Sequence, residues 1–354
     1  MYPKRVAIVA EWLTWRGGGE SVLDELLEIY PEAKLFTTVY NAEKLPEYKK
    51  YDVKTSFLQK IPFVNKKHQL VPPLLLKAIE SLDLNGFDLI ISLSSAIGKG
   101  IKKPVGSVHV CYCHTPMRYV WQSEIDNRLT KIPFGKYFIN YLKQWDLKTN
   151  LGVDFFIANS ANTSQRIKKF YKRESTVINP PVKIIKTANC KKKNFYLCLG
   201  RLIPYKRIDL AVQAFNENGE ELLIAGDGPE LRNLKKIAKK NIKFLGRVSN
   251  KQKYQLIRET KALIFPGEED FGIVPVEAIS QATPVIAYAR GGAKEILKDG
   301  ITGILFESQD KESIAEALKR FERTKFKSEL LVEEAKKFSS DIFQIKIKKF
   351  IKNI

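Results

Sequence analysis

Short apolar runs alternate with helical patterns along the first half of the chain. The pattern predicts a strand at 5–13 and a helix at 20–30, whose apolar positions recur on one face. Further buried strands are predicted at 87–92, 107–113 and 154–159, and the last leads into a helix around 161–171. This alternation is typical of a parallel sheet with helices on both faces.

The pattern breaks near Asn179-Pro180-Pro181, and a polar, basic stretch without periodicity follows. A second alternation then begins, with a predicted helix at 208–216 and predicted strands at 195–200, 221–225, 242–245, 262–265 and 284–288. A chain of 354 residues suits two domains. We therefore predict an α/β protein of two doubly wound, Rossmann-like domains facing a cleft, with ligands outside the C-terminal strand ends. The predicted parts are an N-terminal domain at 1–182, a linker at 183–194, a C-terminal domain at 195–338 and a final helix at 339–354.

Two carboxylates in the second half flank a glycine-containing loop that runs into a helix. Pro275 suits the first helical position, where its missing N–H would be unsatisfied anyway. This predicts Glu277 in the first turn and Glu269 in the loop before it. Helix N-termini favour phosphate, and carboxylates accept from hydroxyls, so the segment predicts a pocket for a nucleotide sugar. The alternative is an ordinary loop with one acidic residue near a helix.

Three further features fall at predicted strand ends. Arg201 and Lys206 could hold a diphosphate, or could be surface charge. Gly17-Gly18-Gly19 follows the first strand, where glycine allows backbone to approach a ligand closely. His114 ends the strand at 107–113 and should project into the cleft, although a structural histidine is the alternative.

Together these segments resemble the family 4 glycosyltransferases, which are retaining, metal-independent enzymes with the two-domain GT-B fold. The resemblance covers nearly the whole chain. The Glu-Glu-Asp-Phe-Gly form at 268–272, with 113–121, resembles a bacterial O-antigen mannosyltransferase branch. The segments that carry the resemblance are 17–20, 113–121, 200–207, 225–229, 265–277, 284–287 and 291–292.

The resemblance implies a role for each candidate residue. Glu277 would accept from the ribose and Glu269 from the donor sugar, while Arg201 and Lys206 would hold the diphosphate. His114 would hydrogen-bond the donor sugar, and with Glu269, Arg201 and Lys206 it forms the predicted catalytic set. The other predicted donor contacts are Gly18, Val248, Gly272, Ile273 and Val274; Gly17, Arg118, Tyr119 and Trp121 would line the acceptor path, or the last three would be packing residues.

The implied reaction moves a hexose, with mannose from GDP-mannose as the leading donor, to a lipid-linked oligosaccharide or polysaccharide precursor. A UDP-hexose donor is the near alternative, and a basic nucleic-acid-binding protein is the non-enzyme alternative. No known nucleic-acid-binding module is found in the sequence. No cofactor is expected, because the nucleotide sugar is itself a substrate, and the resemblance implies that no metal is needed.

The net charge is +21, from 60 Lys and Arg against 39 Asp and Glu. The surplus fits attraction to anionic lipid or nucleic acid, or a lysine-rich composition. The segment 131–148 interleaves aromatic and lysine residues, which suits either a membrane-interfacial surface or a core with lysines outside. The four cysteines show no disulfide framework, and no apolar run has the length of a membrane span. We expect a cytoplasmic protein, peripheral at the inner face of the cell membrane.

Overall fold

The computed structural model of the chain describes residues 5–64, 72–123, 129–130, 134–184 and 190–354. The chain divides into two compact units. The first contains residues 1–181 and 341–354, and the second contains residues 182–340. The predicted linker therefore lies at the start of the second unit, with 185–189 outside the described residues.

A seven-stranded, all-parallel sheet forms the centre of the first unit. Its strands are rich in Val, Ile, Leu and Phe, as expected where both faces are covered by helices. They are β1 (Val6–Ala10), β2 (Lys34–Thr37), β3 (Val53–Thr55), β4 (Leu89–Ser94), β5 (Val108–Cys113), β6 (Phe155–Ala158) and β7 (Thr176–Val177). Their order across the sheet is β3-β2-β1-β4-β5-β6-β7.

The helices of the first unit bury one apolar face each. The predicted face of the first helix is confirmed, because Val22, Leu23, Leu26 and Leu27 are buried. The described helices are α1 (Glu20–Ile29), α2 (Pro72–Glu80), α3 (Arg118–Trp121), α4 (Gly135–Thr149) and α5 (Ala161–Tyr171).

A six-stranded, all-parallel sheet forms the centre of the second unit. Its strands are β8 (Tyr196–Leu199), β9 (Leu222–Ala225), β10 (Ile242–Gly246), β11 (Leu263–Phe265), β12 (Val285–Tyr288) and β13 (Gly303–Phe306), in the order β10-β9-β8-β11-β12-β13. Its helices are α6 (Ile208–Asn218), α7 (Leu231–Ile237), α8 (Asn250–Glu259), α9 (Ile273–Ser280), α10 (Ala293–Ile296), α11 (Lys311–Arg323) and α12 (Ser328–Lys336).

The last helix, α13 (Ser340–Lys352), ends two residues before the C-terminus. Its apolar side chains Phe343, Ile347 and Ile351 are buried in the core that also contains Val22 and Leu26 of α1. The end of the chain is thus part of the first unit.

In each sheet the chain first adds strands on one side of its first strand and then adds the rest on the other side. β1 lies between β2 and β4, and β8 lies between β9 and β11. The connections on the two sides of such a point leave in opposite directions, which opens a crevice at the C-terminal strand ends. The glycine triplet follows β1, the segment from Arg201 to Lys206 follows β8, and Glu269 follows β11.

Every strand predicted from the sequence is present, with its ends shifted by up to three residues. The largest shift is at β1, which ends at Ala10 rather than at Leu13. The reason is Glu11, whose buried carboxylate accepts backbone hydrogen bonds from the loop after β4. No helix in the described part of the chain is long and apolar enough to cross a membrane.

Candidate active site

Lys206 and Glu269 form an ion pair in the second unit. The ammonium Nζ lies 2.9 Å from Oε1 of the carboxylate, and the two side chains are 15% and 20% exposed. Burial opposes the charge on Lys206, but the adjacent carboxylate more than offsets this and raises its pKa. The structure therefore brings together one predicted phosphate-binding residue and one predicted sugar-binding residue, both charged and largely shielded from water.

Two glycines hold the backbone of the acidic loop close. A Cβ at Gly291 would lie 2.1 Å from the carbonyl oxygen of Glu269, and one at Gly292 would lie 2.0 Å from that of Phe271. The amide of Gly292 also donates to the Glu269 carbonyl, at 2.9 Å. Gly291-Gly292 is therefore more than a turn into α10, because only glycine allows this contact.

The start of α9 corrects one prediction. The helix begins at Ile273, two residues before Pro275, so Glu277 lies in its second turn rather than its first. The reason is Gly272, which takes a left-handed conformation (φ 98°) at the N-cap that other residues rarely adopt. The first-turn amides, including those of Ile273 and Val274, have no partner within the helix and remain donors for an anion.

Glu277 is paired with a residue that the sequence analysis did not select. Its side chain is 9% exposed, and Oε1 accepts from Nζ of Lys253 at 2.6 Å. The hydroxyl of Tyr254 lies 3.4 Å from the same oxygen. Lys253 and Tyr254 both belong to α8, and 24 residues separate Lys253 from its partner. No local motif signals a pair of this separation.

Two other predicted donor residues, Arg201 and Val248, lie on loops of the second unit. Arg201 is exposed just after β8, and Arg207 is held by Asp209, with its Nη2 3.2 Å from Oδ2. Val248 follows β10 and is partly buried against the core. Beside it, Nε of the exposed Arg247 lies 3.4 Å from Oδ2 of Asp227.

In the first unit, the glycine loop lies against His114. A Cβ at Gly19 would be 3.4 Å from Nε2 of the imidazole. The imidazole packs edge-on against the Tyr112 ring, with 5.2 Å between ring centroids. The backbone amide of His114 donates to the carbonyl oxygen of Ser94 at 2.8 Å. Two motifs separated by about a hundred residues in sequence are thus adjacent at the end of the sheet.

Gly17 and Gly18 of this loop already form backbone hydrogen bonds with neighbouring side chains. The amide of Gly17 donates to Oε2 of Glu20 at 2.6 Å, and the hydroxyl of Ser21 donates to the carbonyl of Gly18 at 2.8 Å. Burial raises the pKa of Glu20, opposed by the hydrogen bond from Gly17. The Gly17 amide is therefore already occupied by the protein.

The predicted acceptor residues have contacts that favour the packing alternative. The indole N–H of Trp121 donates to Oδ2 of Asp146 at 2.6 Å, and its ring stacks on Phe170 with 5.0 Å between centroids. Tyr119 is partly buried against the core, and Arg118 is the half-buried first residue of α3. The acceptor role of these three residues remains a prediction.

Asp146, the hydrogen-bond acceptor of Trp121, also forms a buried ion pair with Lys99. Nζ of Lys99 is 2.7 Å from Oδ1 of Asp146, and both side chains are essentially unexposed. Asp146 also accepts from the indole N–H of Trp121. The Lys99–Asp146 pair therefore helps to hold the C-terminal end of the segment 113–121 in place.

His109 and the two cysteines of β5 are buried in the core of the sheet. His109 is fully buried between the Ser92 hydroxyl and the Gly152 carbonyl, each 2.8 Å away. Cys111 and Cys113 are buried thiols, and burial raises the pKa of Cys111 to about 12. Across the described ranges, no group of three or more His, Cys, Asp or Glu side chains is placed to hold a metal ion.

Comparison with known proteins agrees with this arrangement. Residues 181–338 match the family described as glycosyl transferases group 1. Among curated relatives, an uncharacterized glycosyltransferase of Methanocaldococcus jannaschii is 27% identical over 271 residues, which are 73% of each chain. The O-antigen chain mannosyltransferase C of Escherichia coli is 26% identical over 188 residues, which are 47% of this chain and about half (50%) of the relative.

Solved structures resemble the whole chain. Sucrose-phosphate synthase from Thermosynechococcus elongatus has a TM-score of 0.74 at 17% identity, covering 99% of this chain and 98% of that one. Anabaena HepE in complex with UDP and glucose has a TM-score of 0.72 at 18% identity, covering 99% and 100%. These likenesses show the fold.

The two Rossmann-like sheets, with motif loops at their switch points, have the GT-B fold. The second unit belongs to the group 1 glycosyl transferases, and the chain as a whole is a glycosyltransferase that resembles family 4.

Proposed function

We propose that the protein transfers a hexose, most directly mannose from GDP-mannose, to a lipid-linked oligosaccharide or polysaccharide precursor. The observation that carries the proposal is the Lys206–Glu269 pair, on a loop held by Gly291-Gly292 just before the first turn of α9. A cation and helix amides suit a diphosphate, and a carboxylate suits sugar hydroxyls.

In this reaction the bond from the anomeric carbon to the diphosphate oxygen breaks, and negative charge develops on the departing phosphate. An acceptor hydroxyl oxygen forms the new bond to the anomeric carbon, and its proton goes to the departing phosphate oxygen. Lys206, Arg201 and the amides of Ile273 and Val274 would stabilise that charge without a metal ion. Glu269 would accept from the sugar hydroxyls and Glu277 from the ribose. His114 would donate to or accept from the donor sugar, and the anomeric configuration would be retained.

Two comparisons bear on the donor. The mannosyltransferase relative supports mannose, and so do the Glu-Glu-Asp-Phe-Gly segment and the segment 113–121. The likeness to a structure that contains UDP and glucose supports the second candidate, a UDP-hexose.

Thermal unfolding with GDP, UDP, ADP and GDP-mannose, each with a chelator present, tests the proposal. A ligand at about 100 times its Kd stabilises the folded state by about 2.7 kcal/mol. Stabilisation by GDP and GDP-mannose alone is the expected result. Stabilisation by UDP alone would replace mannose with another hexose, and no response to any nucleotide would contradict the proposal and favour the nucleic-acid-binding alternative.

We also propose that α4 contacts an anionic membrane surface at the inner face of the cell membrane. Phe134, Tyr137 and Tyr141 are 81%, 78% and 54% exposed, and Lys136 and Lys148 are exposed beside them. The predicted aromatic stripe is not exposed along its whole length, because Trp145 is buried and its indole N–H donates to Oε1 of Glu80 at 2.7 Å. Residues 131–133 of the predicted segment lie outside the described residues. Exposed aromatic residues beside lysines are typical of surfaces that lie at a lipid interface.

A further inference from the structure

Lys253, the ion-pair partner of Glu277, has no part in the roles assigned above. Glu277 is a largely buried carboxylate inside a short apolar helix, where an isolated charge would be strongly unfavourable. The ammonium of Lys253, 2.6 Å from Oε1, supplies the compensating charge. The Lys253 side chain is 21% exposed, so water only partly screens the attraction between the ammonium and the carboxylate.

The contacts of this carboxylate are one-sided. Within the described residues, the side-chain contacts from Lys253 and Tyr254 both reach Oε1. A carboxylate has about four acceptor positions over its two oxygens, so Oε2 keeps its capacity for other donors. A ribose with two adjacent hydroxyls is a donor of this kind.

We infer that Lys253 is a positioning residue for nucleotide binding: it holds the Glu277 side chain in the rotamer that accepts from the ribose hydroxyls. The inference rests on the proposed function, since it assigns a partner to the predicted ribose-binding carboxylate. Lys253 does not itself touch the nucleotide in this scheme. Its contribution is therefore present only when the ligand has ribose hydroxyls.

Three variants test this role. Lys253→Met removes the charge and keeps the length of the side chain, and Lys253→Arg keeps the charge. Lys251→Met is the matched control, because Lys251 is an exposed lysine on the same helix. Calorimetry gives the Kd of each protein for GDP and for 2′,3′-dideoxy-GDP, and thermal unfolding verifies that each is folded.

Wild-type protein should bind GDP at least about tenfold more tightly than 2′,3′-dideoxy-GDP, the scale of one hydrogen bond to a charged group. Lys253→Met should lose about tenfold in GDP affinity and little in dideoxy-GDP affinity. Lys253→Arg should recover most of the loss, and Lys251→Met should match wild type. If UDP is the nucleotide that stabilises the protein, the uridine pair replaces the guanosine pair.

Equal weakening of both nucleotides by Lys253→Met would overturn the inference, because a general structural effect does not depend on ribose hydroxyls. Unchanged GDP affinity in a folded Lys253→Met protein would overturn it as well. In both cases nucleotide binding by wild type would leave the proposed function standing. Failure of wild type to bind any nucleoside diphosphate would overturn both.

Discussion

At the scale of single residues, His109 illustrates a buried imidazole used for structure. Burial lowers its pKa to about 4, although the Gly152 carbonyl and Asp154 oppose the shift. The ring is therefore neutral near pH 7. In the unfolded chain the pKa returns to about 6.5, so protons bind the unfolded state more tightly over the interval between these values.

This difference predicts an acid-sensitive first unit. Titration of His109 should add no pH dependence to the free energy of unfolding above about pH 6.5. Below that pH it should lower the free energy of unfolding by about 1.4 kcal/mol per pH unit until the folded pKa is reached. Between pH 6.5 and pH 5 the expected loss is about 2 kcal/mol. Denaturant unfolding followed by tryptophan fluorescence measures it, because all four tryptophans lie in the first unit.

His109→Gln removes the titrating group and is the comparison protein. Its unfolding free energy should be lower than that of wild type at pH 7.5 but should change much less between pH 6.5 and pH 5. The same slope in both proteins would show that His109 is not the group responsible.

Sequence reasoning at this scale identified residues better than it identified their partners. Lys206 and Glu269 stand in recognisable motifs, and the structure places Nζ of Lys206 2.9 Å from Oε1 of Glu269. Lys253 stands in no motif, and its contact with Glu277 exists only because α8 and α9 pack together. A pairing that depends on tertiary packing is not visible in the spacing of residues along the chain.

At the scale of elements, Glu11 connects β1 to the loop after β4. Its Oε1 accepts from the amides of Ser95, Ala96, Ile97 and Gly98 at 2.5–3.0 Å, and Oε2 accepts from the Ser95 hydroxyl at 2.6 Å. The loop begins next to the strand end that carries His114. Its conformation is therefore set by one carboxylate.

We expect Glu11→Gln to lower the unfolding free energy of the first unit by about 2 kcal/mol, because hydrogen bonds to a charged acceptor are replaced by bonds to a neutral one. Tryptophan fluorescence again reports this unit. Glu32→Gln, at an exposed position just after α1, is the control and should change stability by less than about 0.5 kcal/mol. A loss no larger than in the control would show that the charge of Glu11 does not hold the loop.

The elements themselves were largely predictable, and their ends were not. Alternating apolar runs identified the central strands of both sheets, because buried parallel strands are almost continuously apolar. The short strands β3 and β7 have only three and two residues and carry too little pattern. The start of α9 was missed because Pro275 marked a plausible first position, whereas the positive φ of Gly272 allows the helix to begin earlier.

At the scale of the whole molecule, the charge of +21 is far larger than one diphosphate requires. We expect the protein to sediment with vesicles that contain anionic phosphatidylglycerol, but not with phosphatidylcholine vesicles, and to be released by salt. Replacing Tyr137 and Tyr141 together by serine should weaken vesicle binding about tenfold, since two aromatic side chains no longer enter the interface.

The matched control is Leu330→Ser, which removes an exposed apolar side chain (47%) from α12 in the second unit. It should sediment like wild type. Equal binding by the tyrosine variant and wild type would contradict the proposal that α4 contacts the membrane. Binding to nucleic acid at physiological salt, unaffected by Glu269→Ala, would favour the non-enzyme alternative.

The central claim is that Glu269 binds the sugar of the donor while Lys206 binds its diphosphate. The most direct measurement is calorimetry of Glu269→Gln and wild type with GDP-mannose and with GDP. The substitution should weaken GDP-mannose at least about tenfold. GDP should bind as tightly as to wild type or more tightly, because Lys206 is released from its partner. Equal weakening of both ligands, or unchanged GDP-mannose binding, would contradict the account.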